Sequence, residues 1–132
     1  MPHPVILRTL TPSASISIGE NCGISGAAIV SAKEITIGTG CLIGSGALIV
    51  DTDFHPVHSA NRRFAPLPEP TDRHRVTIGD NVFIGARAIV LKGTTIGDNA
   101  VIGAGSVVSG FVPANSVFAG NPAVSIKQVD IV

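Results

Sequence analysis

The stretch "VTIGDNVFIGARAIVLKGTTIGDNAVIGAGSVVSG", Val76–Gly110, carries a large aliphatic residue at Ile78, Ile84, Val90, Ile96, Ile102 and Val108. The step is six residues each time. A helix repeats its buried face every 3.6 residues and a half-buried strand every two, and neither period continues through this pattern. Short strands joined by tight corners do, and three six-residue units close a triangular turn of 18 residues. Stacked turns make a prism with the isoleucines inside. Gly79 and Gly97 follow the first isoleucine of each turn, and Asp80-Asn81 and Asp98-Asn99 come next. Glycine and asparagine enter left-handed backbone angles at low steric cost, which a sharp corner every six residues requires.

The beat extends backwards through Ile18, Ile24 and Val30, then Ile37, Ile43 and Ile49. Each coil opens alike: "ISIG", "ITIG", "VTIG", "TTIG". One interior column is therefore predicted from Ile18, Ile37, Ile78 and Ile96, and a second from Ile24, Ile43, Ile84 and Ile102. Parallel ladders between coils satisfy the backbone groups and set neighbouring coils about 4.7 Å apart. Two places break the rhythm. The step from Val30 to Ile37 is seven, which predicts a bulge or an extra corner residue in "VSAKEIT". After Ile49 the chain departs through "FHPVHSANRRFAPLPEPTDRHR" and resumes in phase at Ile78. Long excursions from a compact repeat are commonly functional.

Composition narrows the class. The chain has 132 residues, enough for one domain, with nine Lys plus Arg against nine Asp plus Glu. Nucleic-acid binding, which needs a cationic excess, is not expected. No stretch approaches the roughly 20 apolar residues that span a bilayer, and the opening residues lack a signal-peptide pattern, so the expected location is cytoplasmic. Fifteen Gly, nine Pro and no Trp or Tyr predict many turns, an aliphatic core and little helix. Cys22 and Cys41 occupy the fifth position of their units, where Val82 and Ala100 stand later. That makes them core filler, although stacking one coil apart leaves a disulfide conceivable.

From Ile16 to Lys127 the sequence resembles the hexapeptide-repeat acyltransferases, in particular the sugar and maltose O-acetyltransferase branch, with "VTIGDNVFIGARAIVLKGTTIGDNAVIGAGSVVSGFVPANSVFAGNPAVSIK" the most specific match. The resemblance implies an all-β, left-handed parallel β-helix of about four to five coils. It also implies a homotrimer with active sites between subunits, and acetyl transfer from acetyl-CoA, as co-substrate, to a hydroxyl or amine of a sugar-like or glycan acceptor. Spacing gives the prism but not its hand, since the general preference for right-handed parallel crossovers points the other way. The expected organisation is a lead-in over 1–15, coils one and two over 16–54 and an excursion loop over 55–75. Coils three and four follow over 76–113, then a C-terminal segment over 114–132.

A sugar hydroxyl needs a base to take its proton as it attacks a thioester, and histidine suits that task at neutral pH. His55, in "DFHP" where coil two gives way to the loop, matches the family's catalytic histidine. Asp51 or Asp53 is expected to orient the ring, and spacing does not decide between them. By the same resemblance Ala86, Ala104 and Ser109 face the pantetheine arm of the cofactor, Lys127 meets the nucleotide phosphates, and Phe83 walls the acceptor where many relatives carry tryptophan. No metal is expected. His58 and His74 are expected to be solvated and His3 inert. Loop arginines Arg62, Arg63, Arg73 and Arg75, opposed by Glu69 and Asp72, are either a solvated face or an anion-attracting one, and Pro66, Pro68 and Pro70 stiffen the loop. Two other readings compete. One is a gamma-class carbonic-anhydrase-like lyase built on His55, His58 and His74, at a spacing that departs from that class; the other is a non-catalytic β-helix scaffold.

Overall fold

The computed structural model describes residues 4–130; the expectation for His3 lies outside that range. Among the described residues fifteen of sixteen short strands wind into a left-handed parallel β-helix with three flat faces. Face one stacks β1 (Ile6–Thr9), β4 (Ala28–Ser31), β7 (Leu48–Val50), β10 (Ile89–Val90) and β13 (Val107–Val108). Face two stacks β2 (Ser15–Ile18), β5 (Glu34–Ile37), β8 (Val76–Ile78), β11 (Thr95–Ile96) and β14 (Phe111–Val112). Face three stacks β3 (Gly23–Ile24), β6 (Leu42–Ile43), β9 (Phe83–Ile84), β12 (Val101–Ile102) and β15 (Ser116–Gly120), and β16 (Ala123–Gln128) folds back antiparallel on β15. Among the described residues no helix is long and apolar enough to cross a membrane.

The register bears out both predicted columns. Ile18, Ile37, Ile78 and Ile96 are successive partners on face two, continued by Val112. Ile24, Ile43, Ile84 and Ile102 are partners on face three, continued by Phe118. From coil two onward these aliphatic residues are fully buried, so each coil buries its apolar side only by lying on the next. Cys22, Cys41, Val82, Ala100 and Ser116 occupy one recurring place in successive coils. Both thiols are free, each donating to a backbone carbonyl of the adjoining coil, Gly38 and Gly79, at 3.1 Å. Burial pushes the Cys41 thiol above its ordinary value.

One assignment is corrected. Val30 does not fill the third column; Ile29 does, fully buried and paired with Ile49, while Val30 pairs outward with Val50. Coil one is short by a residue at its second corner, five steps from Ile24 to Ile29, and then takes eight steps to Ile37. The irregularity is thus a short corner followed by a long one, where the sequence suggested a single seven-residue step. Ser31, Ala32, Lys33 and Glu34 of the long corner all bond to the buried carboxylate of Asp51, at 2.6 to 2.9 Å. The corner is wrapped around an anion that arrives one coil later.

The three edges differ. Between faces two and three, Asn21, Asn81, Asn99 and Asn115 all adopt positive φ. The amides of the last three form a ladder, with Asn81 Nδ2 donating to Asn99 Oδ1 at 3.0 Å and Asn99 Nδ2 to Asn115 Oδ1 at 2.9 Å, while Gly40 holds the place between Asn21 and Asn81. Gly38 sits in the same edge so close to the next coil that a Cβ there would lie 2.6 Å from the Gly79 carbonyl oxygen. Between faces three and one the left-handed positions are Gly26, Gly46, Arg87 and Gly105. Between faces one and two the excursion leaves and returns.

Candidate active site at the excursion edge

Three consecutive side chains anchor the way out. Asp51 holds the coil-one corner; the Thr52 hydroxyl accepts the Phe54 N–H at 3.0 Å; the Asp53 carboxylate pairs with Lys92 of the next coil's corner. Phe54 then takes φ 65, and the His55 N–H donates across it to the Asp53 carbonyl at 2.7 Å. Such a three-residue turn is rare and strained for a residue with a side chain. Its effect is to swing His55 outward, where the imidazole is exposed.

The ring is oriented by backbone. His55 Nδ1 lies 3.3 Å from the carbonyl oxygen of Arg62. A carbonyl only accepts, so this contact is a hydrogen bond when Nδ1 carries the proton, and Nε2 is then the free acceptor. Within one chain neither aspartate expected to orient the ring contacts it: Asp51 bonds the coil-one corner and Asp53 pairs with Lys92. Two and four residues of separation do not bring a carboxylate to an imidazole when the intervening turn points them apart.

The way back is anchored to the same two corners. Asp72 pairs with Lys33 at 3.4 Å and with Arg75 at 3.2 Å, and Arg75 reaches Glu34 at 3.6 Å. The Gly93 N–H donates to the His74 carbonyl at 3.0 Å. His74 itself closes a one-turn cap, its Nδ1 accepting from the Thr71 N–H at 3.3 Å. Among the described residues of one chain His55, His58 and His74 form no cluster able to hold a metal ion. The loop arginines divide: Arg75 is engaged in ion pairs, Arg63 lies over the Phe64 ring at 5.1 Å, and Arg62 bonds within the loop.

The remaining candidates are spread around the prism. Ala86 and Ala104 sit one above the other at the edge between faces three and one, both exposed. Ser109 lies at the excursion edge, two coils beyond His55. Phe83 projects from face three, 47% exposed, and Lys127 lies on β16 beside Val117. No enclosed pocket exists among the described residues. Lys92 and the Phe54 turn escaped the sequence reading; their only signal is position, a cation in the corner that stacks on the loop and a bulky residue in a turn.

The family model described as the hexapeptide repeat of succinyl-transferase matches residues 75–109. A maltose O-acetyltransferase structure from Clostridium difficile 630 is 33% identical with TM-score 0.71, covering 98% of this chain and 70% of that one. A galactoside acetyltransferase solved in complex with coenzyme A is 31% identical with TM-score 0.67, covering 96% of this chain and 64% of that one. Over 66 residues the chain is 59% identical to a 2,3,4,5-tetrahydropyridine-2,6-dicarboxylate N-acetyltransferase of Lacticaseibacillus casei, covering 50% of this chain. It spans only 28% of that relative's own length.

Proposed function

The chain belongs to the hexapeptide-repeat acetyltransferases, and on that premise we propose that it moves an acetyl group from acetyl-CoA to a hydroxyl, or an amine, of a sugar-like acceptor. The observation that carries this reading is the placement of His55: an exposed imidazole at the break in the coils, with Nδ1 on a backbone carbonyl and Nε2 free. In the transfer Nε2 takes the acceptor proton as the acceptor oxygen attacks the thioester carbon. The tetrahedral intermediate collapses with cleavage of the C–S bond, and the imidazolium returns its proton to the departing thiolate. Base and acid are one group, so no covalent acetyl-enzyme is needed.

The site is composed between copies in a homotrimer. Face one separates the edge bearing Ala86 and Ala104 from the edge bearing His55 and Ser109, so one chain does not bring its thioester-side and base-side groups together. Two of the outward columns are apolar: Ala28, Leu48, Ile89 and Val107 on face one, and Leu42, Phe83, Val101 and Val117 on face three. Face two presents Ser17, Thr36, Thr77 and Thr95, and only its last member, Phe111, is apolar. Apolar faces favour burial against a neighbour and the hydroxyl face favours water. In that arrangement the backbone of Ala86 and Ala104 and the Ser109 hydroxyl line the pantetheine, Lys127 meets the nucleotide phosphates, and Phe83 contacts the acceptor.

Release of free thiol from acetyl-CoA in the presence of a panel of glycosides and amines tests the reading. Acceptor-dependent release supports it. Saturating CoA that leaves the melting temperature unchanged opposes it, since a ligand at 100 times its Kd adds about 2.7 kcal/mol to the folded state. A scaffold gives neither signal.

A further inference from the structure

The carbonyl that meets His55 is itself held by a side chain. Arg62 opens a 3-10 turn, Arg62–Phe64, and its guanidinium curls back so that Nε and Nη2 donate to the carbonyl of Val57 at 3.0 and 2.9 Å. A planar fork with both donors on one oxygen fixes direction as well as distance. Val57 follows His55 by two residues, and Pro56 between them has its φ locked. The guanidinium therefore closes residues 55–62 into a small lobe whose one end carries the imidazole and whose other end carries the Arg62 oxygen, 3.3 Å from Nδ1.

We propose that Arg62 is the positioning residue of His55: its guanidinium, by stapling Val57, holds its own backbone carbonyl against Nδ1 and so keeps Nε2 unprotonated and directed outward. A positively charged side chain here substitutes, through backbone, for the carboxylate that orients histidine in other base sites. The proposal rests on the reading of His55 as the base. It also gives this arginine a role different from attracting cofactor phosphates, because two of its donors already point inward.

The test is Arg62→Met in the full chain, read by steady-state kinetics and by imidazole nitrogen NMR. Both tautomer populations and kcat are expected to move: kcat falls about 10- to 100-fold, the range for a group that orients another, and His55 passes from one Nδ1–H form to a mixture. The KM for acetyl-CoA stays within about twofold. Arg62→Lys recovers part of both signals, since an ammonium reaches the Val57 carbonyl with one bond. A several-fold rise in the KM for acetyl-CoA at unchanged kcat would mean that Arg62 binds phosphate, and overturns the proposal, as does an unaltered tautomer. If the unsubstituted protein transfers acetyl to no acceptor while Arg62→Met still scrambles the tautomer, the functional reading falls and the positioning role stands.

Discussion

At the edge between faces two and three the corners share one geometry: a left-handed residue at the same place in every coil, Asn21, Asn81, Asn99 and Asn115 together with Gly40, with the last three amides bonded one to the next. At the edge between faces one and two no two corners agree. Coil one makes a long corner around Asp51, coil two sends out residues 51–75, coil three turns at Leu91-Lys92-Gly93, and coil four at Ser109-Gly110. What separates the two edges is that the first spends its polar groups on its own stack, while the second spends its anchors on holding a departing chain in place and leaves one imidazole turned to solvent. Regularity marks the edge that only supports the stack, and departure from it marks the edge that presents the candidate base.

That contrast can be broken by substitution. The largest effect is expected at the irregular edge and in turnover alone: His55→Ala lowers acceptor-dependent thiol release about 10²- to 10⁴-fold, the contribution of a general base, with melting temperature unaltered. Unchanged turnover would take the base away from this edge. Next comes Gly38→Ala at the regular edge, where the added methyl meets backbone of the adjoining coil. It costs about 3 kcal/mol or more, the upper end of overpacking, read as a fall in melting temperature or loss of soluble protein. Asp51→Ala strands the donors of Ser31, Ala32, Lys33 and Glu34 and costs about 2–6 kcal/mol in chemical denaturation, at about 1–3 kcal/mol for each of the two fully buried donors, the Ser31 hydroxyl and the Ala32 N–H. It is the one substitution at the irregular edge expected to behave like the regular one. Smallest is Asn99→Ala, which removes two ladder bonds and places a Cβ-bearing residue without a local amide at φ 64; about 1–2 kcal/mol is lost, and Asn99→Gly restores the backbone part.

The columns were legible because six-residue spacing survives any amount of chain inserted between coils: Ile37 and Ile78 are 41 positions apart and still partners. Coil one misled for a physical reason. One corner is a residue short and the next two residues long, leaving a net excess of one between Ile24 and Ile37, so counting residues located one anomaly at Val30 where there are two on either side of Ile29, and the carboxylate that stabilises the long corner comes from coil two. His55 stood out as the histidine at the break, but its partner did not. Two acidic neighbours suggested a carboxylate, whereas the ring meets a backbone oxygen, an atom every residue carries and no sequence marks. Arg62 was visible only as charge, since nothing in "NRRF" announces that one guanidinium folds back on Val57.

Both ends of the excursion are tied to the prism, the outgoing strand through Asp51 and Asp53 and the returning one through Asp72, Arg75 and the His74 carbonyl. Coil three lies directly on coil two, Ile49 against Val90 and Ile43 against Ile84. The winding needs nothing from residues 56–71 to keep its pitch. An evolving lineage is thereby free to lengthen, shorten or exchange residues 63–71 while the prism, and the short lobe over 55–62 that holds the imidazole, are inherited untouched.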